Sequence, residues 1–108
     1  MSLLAATLMT TAGASLDLMR EVYRDRAHAW AATCADPKLK TRYEMLEPRF
    51  YSAWAPLRNA VPPRELQTIY LTGDITSAPA PHCVADDVAH SWFKRYELSL
   101  ARLEGAAR

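Results

Sequence analysis

Apolar residues return every three or four positions along most of this chain, and that period limits what it can fold into. In the first third they stand at Met9, Ala12, Leu16, Met19, Tyr23, Ala27, Trp30 and Cys34. Such steps place side chains on one flank of an α-helix, because the helix repeats every 3.6 residues. A second stripe runs through Leu39, Tyr43, Leu46, Phe50, Trp54 and Leu57, and a third through Val84, Val88, Trp92, Tyr96, Leu100 and Leu103. The charged residues Arg20, Glu21, Arg24 and Asp25 fall mostly off the first stripe.

The punctuation between stripes fits helix ends. Asp36-Pro37 pairs a capping side chain with a residue suited to a first helical turn. Val61-Pro62-Pro63 breaks the second stripe, and Gly73 follows a short helical pattern from Pro63 to Thr72. Gly13 predicts either an uninterrupted helix from Leu3 to Thr33 or a break near itself. Pro48 predicts a kink and Pro56 a kink or restart, since each removes a backbone donor. The segment Asp74 to His82 reads as loop, and the last helix is expected from about Cys83 to Glu104, with Gly105 as its terminator. A strand over Leu66–Leu71 would find no partner strand and would leave its backbone donors unpaired. The expected architecture is therefore all-α: a small bundle of three long helices and one short one, in a single domain spanning residues 1–108. The stripes are wide for 108 residues, which predicts that self-association, most simply a homodimer, completes their burial.

Charge narrows the partners. Thirteen basic against twelve acidic residues leave a net charge of +1, so no strong field draws the chain to nucleic acid or an anionic membrane. The densest basic stretch, Lys38, Lys40 and Arg42, is diluted at once by Glu44 and Glu47, and no nucleic-acid partner is expected. No apolar run approaches the roughly 20 residues of a membrane span. The glycines, Gly13, Gly73 and Gly105, are too scattered for a phosphate-binding loop.

Two cysteines, Cys34 and Cys83, are too few for a disulfide framework. Reduced thiols in a cytoplasmic protein are the expectation, with a single bridge as the alternative if the chain is exported. Ala12-Gly13-Ala14 loosely resembles a signal-cleavage region, but no basic residue precedes Leu3.

One local repeat carries potential chemistry. Asp25-Arg26-Ala27-His28-Ala29-Trp30 and Asp87-Val88-Ala89-His90-Ser91-Trp92 share the pattern D-x-A-H-x-W, each on a predicted long helix. Asp and His three apart share a face, so antiparallel packing could gather Asp25, His28, Asp87 and His90 around a transition metal ion, as helix bundles do with carboxylate-x-x-His pairs. Glu44 or Glu47 would add oxygen ligands. A second row, His82, Asp86 and His90 with Cys83 nearby, offers a similar donor set. Cysteine catalysis, from Cys83 with His82 or His90 or from Cys34 with His28, lacks a base at helical reach and an oxyanion site.

The remaining surplus is aromatic. Adjacent pairs such as Phe50-Tyr51 and Trp92-Phe93 must point to two faces of their helices. Trp30, Phe50, Tyr51, Trp54, Trp92, Phe93, Arg95 and Tyr96 are accordingly the candidate interface residues, because Trp, Tyr and Arg dominate binding hot spots. The function expected is a non-enzymatic protein–protein interaction module, with itself or another protein as partner and without a cofactor. The alternatives are a metal-binding bundle and a small-molecule-binding bundle with an aromatic pocket near Trp54 or Trp92.

Overall fold

The computed structural model describes the backbone of residues 2–73 and 83–106 and the side chains of residues 16–71 and 83–106. Four helices follow one another: α1 (Ser2–Ala32), α2 (Pro37–Ala60), α3 (Pro63–Gly73) and α4 (Asp86–Ala106). Among the described residues there is no strand, and the protein is an all-α bundle of three long helices and a short one. No helix among them is long and apolar enough to cross a membrane.

Local chemistry sets the boundaries. Asp36 caps α2, its carboxylate accepting the Lys38 amide at 2.9 Å, and Pro37 occupies the first turn, where its missing donor costs nothing. Of the two readings of Gly13 the uninterrupted helix holds, and α2 runs on past both Pro48 and Pro56, with no restart at either. The penalty of a proline is met when the rest of the helix is held by packing, and here Leu39, Tyr43, Leu46, Phe50, Ala53 and Trp54 are all buried along α2. At the start of α4, Cys83, Val84 and Ala85 stay outside the helix, and Gly105 lies within its last turn.

Helices α1 and α4 run antiparallel, as shown by the cross-contacts Glu21–Arg102, His28–Trp92 and Cys34–Cys83. Helix α2 is antiparallel to α1, through Arg26–Glu47 and Trp30–Tyr43, and parallel to α4, through Arg42–Glu97 and Arg49–Glu104. Helix α3 lays Ile69 into the core and Tyr70 against Tyr23 and Trp54.

The buried faces keep Met19 of the first expected stripe and Tyr96, Leu100 and Leu103 of the third, and shift other positions by about one residue. Along α1 the core takes Met19, Val22, Ala29 and Ala32, whereas Trp30 is 52 % exposed. Along α4 it takes Ala89, Phe93, Tyr96, Leu100 and Leu103, and Val88 lies outward. Small side chains win the places where helices approach closely, and the indole of Trp30 is displaced to the edge, against the ring of Tyr43. Asp25, which falls off the expected apolar stripe, is 1 % exposed and faces Ser99 of α4.

The two cysteines are joined. Cys34, just after α1, and Cys83, just before α4, form a disulfide with a Cα–Cα separation of 5.9 Å. The expectation of reduced thiols is overturned: antiparallel packing of α1 on α4 brings the two flanking segments together, a consequence of topology that sequence spacing does not reveal.

Candidate functional site

The seam between α1 and α2 gathers the most chemistry into one surface. Arg26 projects from α1 into α2, where its Nε donates to Glu47 Oε1 and its Nη2 to Glu47 Oε2, both at 3.1 Å. This two-pronged geometry matches a planar guanidinium to a carboxylate. Nη2 also donates to the Tyr51 hydroxyl at 3.2 Å, and the guanidinium carbon sits 4.5 Å from the centre of the Phe50 ring, a cation–π contact. The centre of the Tyr43 ring lies 5.8 Å from the same carbon. Burial, first of all, holds the Tyr43 and Tyr96 hydroxyls neutral far beyond physiological pH. Trp30 and Tyr51, 52 % and 55 % exposed, flank this network on the surface.

The predicted interface residues divide between core and surface. Phe50, Trp54, Phe93 and Tyr96 are buried and belong to the packing of the bundle. Trp54 is enclosed by Tyr23, Phe50 and Tyr70, and its indole nitrogen donates to the Tyr70 hydroxyl at 3.2 Å. Trp30, Tyr51 and Arg95 are exposed, and Trp92 is half-buried. Phe50 turns inward and Tyr51 outward, whereas Phe93 is buried and Trp92 stacks on His28. A groove of about 230 Å³ lies elsewhere, on the α2–α4 side, lined by Arg42, Met45, Leu46, Arg49 and Glu97. It is not beside Trp54 or Trp92.

The repeated D-x-A-H-x-W segments touch, but through unlike members. His28 of the first stacks on Trp92 of the second. No three of Asp25, His28, Asp87 and His90 come together as ligands among the described residues. Asp25 faces Ser99, and burial raises its pKa above the ordinary carboxylate value, an effect that the Ser99 contact offsets in part. Burial lowers the pKa of His28, and its Nδ1 is enclosed without a hydrogen-bond partner. Asp87 is exposed.

His90 instead meets Asp36 and Asp86: its Nε2 is 3.6 Å from Asp36 Oδ2 and 3.5 Å from Asp86 Oδ1. Asp86 and His90 are neighbours by helical spacing and were legible as such. Asp36 read only as a cap, and nothing in the sequence placed it beside α4. His82 lies outside the described residues. Neither Cys34 nor Cys83 retains a thiol for nucleophilic chemistry.

Comparison with family models, curated protein sequences and solved structures finds no match to this chain.

Proposed function

We propose that this chain is a non-enzymatic helical interaction module that docks through the α1–α2 seam, with a second copy of itself as the partner. The observation that carries this reading is the pair of exposed rings, Trp30 and Tyr51, the first set against Tyr43 and the second accepting a hydrogen bond from Arg26. Trp, Tyr and Arg are the residues that supply most of the energy of protein interfaces. Here the Arg26 charge is already matched by Glu47, so the surface offers aromatic area at little electrostatic cost to a like surface. The hydrogen bond from Arg26 to Tyr51 and the Tyr43 ring beside Trp30 restrain both aromatics before any partner arrives, which reduces the ordering entropy lost on docking.

The Cys34–Cys83 bond favours an oxidising compartment over the cytoplasm as the place where the module works. Small helical chains that function there gain from a covalent tie because their cores are limited.

Sedimentation equilibrium tests the proposal. The chain should self-associate at concentrations up to about 100 μM, where a docking free energy near 5.5 kcal/mol is visible. Trp30→Ser with Tyr51→Ser should return it to monomer without loss of helicity by circular dichroism. A monomer throughout that range, or a dimer indifferent to both substitutions, rules the reading out.

A further inference from the structure

Beside the disulfide, three potential ligand atoms from two separate elements converge. Asp36 belongs to the cap of α2, whereas Asp86 and His90 stand one turn apart at the start of α4. One carboxylate oxygen each of Asp36 and Asp86 and a ring nitrogen of His90 all lie within 4.8 Å of one another. The imidazole nitrogen is 3.5 Å and 3.6 Å from the two carboxylate oxygens. Those separations are too long for N–H···O hydrogen bonds, which run to about 3.2 Å. They are close to the edge of a coordination tetrahedron: with metal–ligand bonds of about 2.0–2.1 Å, neighbouring donor atoms stand roughly 3.4 Å apart.

We propose that Asp36, Asp86 and His90 form a binding site for a borderline divalent transition cation, Zn²⁺ foremost, with solvent completing its coordination. One imidazole and two carboxylates are a donor set suited to such ions, and the two anionic ligands balance the charge of a dication.

Two features outside the triad prepare it. The other oxygen of Asp36, Oδ1, accepts the Lys38 amide at 2.9 Å. That contact fixes the carboxylate plane while Oδ2 points to His90, which is how outer contacts orient metal ligands. The disulfide joins Cys34, two residues before Asp36, to Cys83, three residues before Asp86. The two ligand-bearing segments are therefore tied covalently at the site rather than meeting only through side-chain packing. This places the ion at the disulfide end of the bundle, through His90 and two aspartates other than those of the repeated segments. It is independent of the α1–α2 docking surface.

Titration of the full, disulfide-bonded chain with Zn²⁺ by calorimetry near neutral pH tests the site. One ion per chain should bind with micromolar affinity. His90→Ala and Asp36→Asn should each weaken binding at least about tenfold. Asn caps a helix as well as Asp does, so Asp36→Asn should keep the melting temperature of the parent and isolate the lost ligand. His28→Ala should bind as the parent does. No saturable binding, affinity unchanged in both His90→Ala and Asp36→Asn, or a loss confined to the His28 variant, overturns the proposal.

Discussion

The imidazole of His28 lies flat against the indole of Trp92, 4.7 Å between ring centroids and 25° between planes. Helices α1 and α4 meet there through two neutral aromatic faces, and the buried Nδ1 of His28 has no acceptor waiting for a proton.

Acid should therefore loosen this contact. Burial lowers the His28 pKa from its ordinary 6.5, so the folded chain binds fewer protons there than the unfolded chain does. Stability from this group is complete above about pH 6.5 and is lost as pH falls below it. Proton NMR should show His28 titrating below pH 6.5. His28→Phe, which keeps a ring against Trp92, should lose less stability than the parent on acidification, measured as urea midpoints across pH. Equal acid sensitivity in the two proteins would show that His28 is not the responsible group.

Asp25 pulls the other way. Burial raises its pKa above the ordinary carboxylate value, so the folded chain holds this proton more tightly than the unfolded chain. Stability from Asp25 falls as pH rises from that ordinary value through the raised one. Ser99 donates its hydroxyl proton to the Tyr96 carbonyl at 3.2 Å, and Asp25 Oδ2 is enclosed without a hydrogen-bond partner. Asp25→Asn supplies a donor that never ionises, and at neutral pH it should raise stability by about 1 kcal/mol. Thermal melts at pH 5 and pH 8 should differ less for the variant than for the parent.

The Arg26–Glu47 pair is only partly open to water, with side-chain exposures of 21 % and 25 %. Removing Glu47 strands a guanidinium among the rings of Tyr43, Phe50 and Tyr51. Glu47→Ala should cost about 2 kcal/mol, the scale of a hydrogen bond to a charged group. Glu97→Ala, which breaks an exposed pair with Arg42, should cost under about 1 kcal/mol. Chemical denaturation of both variants gives the comparison, and equal losses would contradict the buried network.

Reducing the disulfide should destabilise the fold without abolishing helix. The bond closes a loop of 49 residues, for which the chain-entropy relation gives about 4 kcal/mol. Cys34→Ser with Cys83→Ser should show a similar fall in unfolding free energy, with the far-ultraviolet spectrum retained at low temperature.

Periodicity carried the helices because each reports on its own few turns. The Asp36 cap, the α2 stripe and the short helix after Pro63 were all readable in this way. Placement across the bundle was not. Trp30 and Ala29 are adjacent, and only the approach of neighbouring helices decides that the alanine goes inside. Asp25 stands off the apolar stripe, and nothing local announced Ser99 opposite it. Cys34 and Cys83 are far apart in sequence, and Asp36 and His90 likewise; both meetings follow from the antiparallel return of α4 along α1. The aspartate–histidine spacing was visible twice, but spacing alone could not show which carboxylates stand near which imidazole.

The Cys34–Cys83 bond has one more consequence. Everything between those residues, α2 and α3 included, forms a covalent ring with two tails. A protease that cuts once inside the ring produces a nick but no separate fragments, and the two pieces travel together until a reductant parts them. Damage of this kind would be silent on a non-reducing gel, and the bundle could outlast a break in its own backbone.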